Sequence, residues 1–173
     1  IASAPVTGKA LAVEPFTRET LKLVVGKQHP LAKNKSVRAA DLADEKVIML
    51  GSSSALAGQV RRFCGDHKFQ PRIDYRCAQI ATVKSLVALG VGISILPHMA
   101  QSSKDRDDLV YLPLKGAQPQ RELVIVRHLQ RFQSRGVTQF IAMLKAGVVI
   151  PASSEQGSVS PWKPQSAHTQ QAT

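Results

Sequence analysis

Three short stretches of this sequence bring together residue types that could hold a ligand or do chemistry. The first is Gly51-Ser52-Ser53-Ser54-Ala55, which lies between the apolar run "KVIML" (46–50) and the helically spaced "ALAGQVRRFCGDH" (55–67). If a strand ends there and a helix begins, three hydroxyls meet the free N–H groups and positive dipole end of that helix. Such a turn suits a carboxylate, a sulfate or a phosphate. A serine at this point can equally do no more than cap the helix, and the run alone leaves both readings open. The second stretch is "ALGVGISILPHM" (88–99). Phosphate-binding glycines open a helix, whereas Gly90 and Gly92 follow one, so no dinucleotide turn is expected. The third feature is the pair Cys64 and Cys77, whose spacing fits neither a zinc CxxC nor a disulfide framework. Two buried free thiols in a reducing compartment are expected.

A catalytic constellation is not visible. The chain lacks GxSxG, HExxH and GxxxxGK[ST] motifs, and it has no helical pair of closely spaced carboxylates. His29, His67, His98 and His128 have no ligand-like spacing. No enzyme activity, cofactor or metal is expected.

The elements that must position these residues alternate in type. Strands are expected at 21–26, 46–50, 71–77, 91–96, 107–114 and 121–129. Helices are expected over 36–44 with Ser36 as N-cap, over 55–67, over 79–89 stopped by Gly90, and over 135–147. This alternation implies a largely parallel α/β sheet. In the 55–67 helix, Leu56, Val60 and Phe63 face the core while Arg61 and Arg62 face water. Residues 151–173 are polar and rich in Pro and Ser, and Trp162 alone cannot fold them, so a disordered tail is expected.

Composition narrows the class. With 173 residues, 43% of them hydrophobic and 20% charged, the chain has material for one domain or two small lobes. Its net charge of +11 invites a nucleic-acid reading. The basic residues are scattered, however, and lack aromatic interleaving; even the densest stretch, Arg61 to Lys84, reads as a solvated basic face. No apolar run is long enough to span a bilayer, and the start lacks a signal-peptide pattern. No membrane partner and a cytoplasmic location are expected. Because "IASAPV" begins without Met and reads as a strand already under way, a fragment is expected.

Three blocks together, "ETLKLVVGKQHPLA", "VRAADLADEKVIML" and "TVKSLVALGVGISILP", resemble the effector-binding domain of LysR-type transcriptional regulators over about residues 1–150. The resemblance implies an α/β, two-lobed, periplasmic-binding-protein-like (type 2) fold, its second lobe complete and its first truncated at the N-terminus. Residues 19–121 would form the second lobe, and 1–18 with 122–150 the remainder of the first. It implies a small, anionic effector in the inter-lobe cleft, a homodimer or homotetramer, and promoter DNA engaged only through an absent winged helix-turn-helix. By position in the family, the effector would be held by Ser3 at the end of the first strand and by Ser52, Ser53 and Ser54 across the cleft, with Gln79 adding an amide from the same rim. Within the family, "DEKVIMLGSSSALAGQVRRFC" and "DDLVYLPL" are similar to the OxyR-like, peroxide-sensing branch. Ala55 stands where that branch has its reactive cysteine, and Cys64 where it has the partner. Alanine cannot form a sulfenic acid, so a metabolite is expected in place of peroxide. The alternative from another class is a periplasmic-type solute-binding receptor; an unrecognised enzyme is a third reading.

Overall fold

The computed structural model describes residues 1–116 and 118–147, and the tail at 151–173 with Trp162 lies outside them. The chain divides into two compact units, 1–132 and 133–173. The first holds strands β1 (Ala2–Ser3), β2 (Leu11–Gly26), β3 (Lys46–Leu50), β4 (Arg72–Cys77), β5 (Ser94–Pro97), β6 (Leu109–Leu112) and β7 (Gln120–His128), with helices α1 (Ala55–Asp66) and α2 (Ile80–Ala88). The second unit contains α3 (Arg135–Lys145).

β2 organises the first unit. Its first half pairs antiparallel with β7, from Leu11↔His128 to Thr20↔Gln120, and β1 pairs with the other edge of β7. Its second half pairs antiparallel with both β5 and β6. This second half, Leu21 to Gly26, was legible as a buried β-branched run; the first half alternates charged and apolar residues around Pro15 and was missed. The pairing register slips at Pro15/Thr17, where Pro15 has no N–H to give to the ladder. Beyond the slip, Glu19 joins three elements: one carboxylate oxygen pairs with Arg121 of β7, and the other accepts from the Met99 N–H at 3.1 Å.

The expected largely parallel sheet is corrected. β3 and β4 are parallel, and a bridge from Val47 to Ile93 places the chain entering β5 parallel to β3 as well. These strands are joined through helices, as a parallel pairing requires. β2 arrives without a helical crossover and runs against its neighbours, so the remaining ladders between named strands are antiparallel.

Gly90 and Gly92 serve the return into β5. Gly90 has φ 74°, and the bonds Gly90 N–H to Val87 O and Val91 N–H to Leu86 O close α2 with a Schellman motif. A Cβ on Gly92 would lie 2.4 Å from the Lys46 carbonyl oxygen, so that crossing needs glycine. The stretch is a tight helix-to-strand connection and not a dinucleotide turn.

The core is shared by Leu21, Leu23, Val24 and Val25 of β2, Val47 and Ile48 of β3, Leu56, Val60 and Phe63 of α1, and Val83 and Val87 of α2. A helix starting at Ser36 does not form. Val37 is fully buried in a parallel bridge to Leu114, and a short 3-10 turn follows at Ala39–Leu42 with Arg38 as its N-cap. Burying Val37 in an extended conformation competes with helix there, and it wins. Lys84 does not belong to a solvated basic face either. Its Nζ lies 2.7 Å from Asp105 and donates to the Ala100 carbonyl at 2.9 Å, while Tyr111 and the Ser102 N–H donate to the same carboxylate. Burial pushes the Asp105 carboxyl up, but these donors outweigh it and hold the group below its ordinary range.

Candidate ligand-binding site

The serine run sits where the sequence implied, between β3 and α1. Ser54 N–H bonds back to Gly51 O at 2.9 Å, making a tight turn, and Gly51 N–H bonds to Cys77 O at 3.0 Å. That second bond ties the turn to the end of β4, where Leu50 and Cys77 are register partners. α1 and α2, which follow these two strands, therefore start at one edge of the sheet. Ser54 is the N-cap of α1 in an extended conformation, yet its side chain makes no capping hydrogen bond. Gln79 is the N-cap of α2, and its side chain makes none either. Because the first-turn N–H groups of a helix have no intrahelical acceptor, two sets of donors open at the same edge. Ser52, Ser53 and Gln79 are exposed and Ser54 is half-buried.

Arg61 adds a cation that the sequence reading assigned only to water. It is exposed, but its Nη2 comes within 3.5 Å of the Ser52 carbonyl oxygen, so the guanidinium lies over the serine turn. The residue is seven positions past Ser54, two helical turns on, and this spacing was the available signal.

A groove of about 760 Å³ begins beside the turn. Ala4 and Pro5 line one side, Ala55, Gly58, Gln59, Arg62 and Asp66 of α1 another, and Gln120 and Glu122 of β7 also reach it. Ser3 pairs with Leu123 of β7 and precedes Ala4 of this wall, as Ser54 precedes Ala55; neither these two nor Ser52, Ser53 or Gln79 is among the wall residues. Helical periodicity could have found the α1 wall, since 55, 58, 59, 62 and 66 share one face, away from Leu56 and Val60 and bordered by Phe63, which also lines the groove. Across the groove, Gln59 Nε2 donates to Ala4 O at 3.4 Å, and Gln59 Oε1 is buried without a hydrogen-bond partner among the described residues.

Cys64 lies on the core face of α1, fully buried, and burial pushes its thiol up to about 11. The void it lines is about 10 Å³, room for one water and not for a metabolite. Cys77 is half-buried. Among the described residues no group of His, Cys, Asp and Glu could hold a metal, and no helix is long and apolar enough to cross a membrane.

A mixed α/β fold of a five-stranded sheet built along one long strand and a two-stranded parallel sheet, with the α1 N-terminus opening beside a groove, is that of a ligand-binding domain of the two-lobed, type 2 periplasmic-binding-protein-like kind. The effector-binding domain of QuiR in complex with shikimate shares this fold, with a TM-score of 0.75 and 23% identity over 84% of this chain and 68% of that one. So does the regulatory domain of CcmR from Synechocystis PCC6803 in complex with 2-PG, with a TM-score of 0.75 and 24% identity over 84% and 71%. The chain belongs to the LysR substrate binding domain family, whose model matches residues 1–148. The transcriptional dual regulator OxyR of Escherichia coli K12 is 34% identical over 113 residues, covering 65% of this chain and 37% of that protein. The transcriptional dual regulator GltC of Bacillus subtilis is 27% identical over 126 residues, covering 73% and 40%. The chain thus spans well under half the length of these relatives. It is a ligand-sensing regulatory domain of this family, and kinship to transcriptional regulators does not favour the solute-receptor alternative.

Proposed function

We propose that this domain binds a small anionic metabolite and, within a longer LysR-type regulator, transmits its presence to promoter DNA. One observation carries the reading: α1 places a serine at its N-cap and leaves that N-terminus uncapped, with the Arg61 guanidinium over the same turn. A carboxylate, sulfate or phosphate would accept from Ser52, Ser53 and Ser54 and from the first-turn N–H groups, in the field of the helix dipole. The rest of the molecule would extend along the groove, with Ser3 and Gln79 reaching it from the flanks. Shikimate, held by one structural relative, is itself a carboxylate.

Residues 19–121 would act as one lobe, and 1–18 with 122–150 as part of the other. Ligand binding between them shifts their populations and the assembly of a homodimer or homotetramer, so that a winged helix-turn-helix elsewhere in the regulator engages its promoter differently. Kinship to transcriptional regulators supports a cytoplasmic, non-enzymatic role. Ala55 stands at the first position of α1, so the ligand is a metabolite and not peroxide.

The test is thermal unfolding of the chain with phosphate, sulfate or shikimate at fixed ionic strength. The anions are expected to raise Tm, and the double substitution Ser53→Ala, Ser54→Ala to weaken binding by about 1–3 kcal/mol. An undiminished shift in the double variant would show that these serines hold no ligand.

A further inference from the structure

Gln59 stands in the middle of the groove wall and is held in a poor arrangement. Its orientation follows from its neighbour: the Ala4 carbonyl can only accept, so the amide must turn its NH₂ toward Ala4 and its oxygen away. At 3.4 Å that bond is near the end of the useful range. The oxygen, meanwhile, is sealed from water with no donor among the described residues. A buried acceptor in this state raises the free energy of the unliganded arrangement. A part turn of the amide about its last torsion, which is broad and soft, would release the weak bond to Ala4 and swing the oxygen toward the groove its side chain lines, whereas a full turn would set it against the Ala4 carbonyl.

We infer that Gln59 is a specificity-determining residue, whose amide oxygen accepts from a hydroxyl or ammonium group of the bound metabolite. The inference rests on the anion reading of the serine turn. Ala55 and Gln59 are separated by about 6 Å of helix rise. A ligand anchored by its anionic group at the turn would therefore present its donor about that far away, across a six-membered ring or a chain of similar length. The ligand class is a hydroxylated or amino-substituted carboxylate or phosphate, in preference to its deoxy counterpart. Discrimination comes from the protein side, since a ligand without the donor leaves the amide oxygen unmet.

Calorimetry with the full 173-residue chain tests this, using trans-4-hydroxycyclohexanecarboxylate and cyclohexanecarboxylate, which share the anion and the ring. The hydroxylated probe is expected to bind about three- to tenfold more tightly. Gln59→Leu, which keeps the side chain's size without the polar oxygen, is expected to bring that ratio to about one and to raise the Tm of the unliganded chain. Ser53→Ala with Ser54→Ala is expected to weaken both probes and keep the ratio. A ratio near one in the native chain, a ratio unchanged by Gln59→Leu, or no binding of the hydroxylated probe at millimolar concentration would each overturn the role of Gln59. Affinity unchanged in the serine variant, with the ratio intact, would overturn the serine turn and leave Gln59 standing.

Discussion

Among the described residues two α-helices begin after a serine, and the two serines behave differently. Before α3, the Ser134 side chain accepts from the Val137 N–H at 3.3 Å, a conventional cap. Before α1, the Ser54 side chain makes no such bond. The helices also differ in what holds them. α1 buries Leu56, Ala57, Val60, Phe63 and Cys64, whereas α3 buries none of its residues and leaves Val137, Phe140 and Met143 about half exposed. A helix of this length is marginal on its own and takes most of its stability from a buried face. α1 has that face and can leave its N-terminal donors open for something else. Within its own unit α3 has no such face among the described residues, and the Ser134 cap is a prominent local contribution. An uncapped serine is informative only because the helix behind it is anchored otherwise.

The largest effects should separate the two helices by their anchoring. Leu56→Ala removes a side chain that is 4% exposed at the α1–core contact, and a loss of about 2–5 kcal/mol is expected in urea unfolding. Phe140→Ala on α3 starts from a ring that is 49% exposed, and less than about 1 kcal/mol is expected. Equal losses would break the comparison, because α1 would then have no surplus of packing with which to leave its N-terminus open.

Smaller effects should distinguish the caps. Ser134→Ala removes a bond that is present, and a loss of about 0.5–2 kcal/mol is expected, read as lost helical signal and protease resistance near residue 135. Ser54→Ala removes no cap bond, so a change within about 0.5 kcal/mol is expected in the unliganded chain. A full capping cost at Ser54 would mean that the serine stabilises the helix and would remove the observation on which the anion site stands.

How much of this was legible follows the reach of the interactions. β3, α1, α2 and α3 are visible in the sequence because apolar period, turn residues and glycine stop agree locally, as at Gly90. The 3-10 turn at Ala39–Leu42 was read as a helix from Ser36 because Leu114, which draws Val37 into a bridge, lies 77 positions away. The antiparallel course of β2 was hidden for the same reason, since its partners come from β5, β6 and β7. At the site, the serine turn is local and was legible as a place. That Ser54 does not cap and that Gln59 reaches Ala4 are facts of the folded chain with no signature in spacing alone, whereas the spacing of Arg61 from the turn was there to be read.

The effect expected at Cys64 emerges only in alkali, and it sharpens the claim that α1 is a packed helix. Its thiol is pushed from an ordinary value of 9.0 up to about 11 because burial disfavours the thiolate. Raised in the folded state, this group supports folding fully below pH 9; that contribution is lost as pH rises through about 11, because unfolding then releases the proton more readily. The Tm of the native chain should therefore fall more steeply than that of Cys64→Ala between pH 9 and 11. At neutral pH almost no thiolate exists for peroxide to attack, and Ala55 offers no second sulfur on the helix. Mild peroxide should leave the mass of the folded chain unchanged at Cys64, and disulfide reagents should label the half-buried Cys77 first. Rapid labelling of Cys64 at pH 7 would show that α1 opens from the core readily, and its uncapped N-terminus would then be fraying instead of a reserved set of donors.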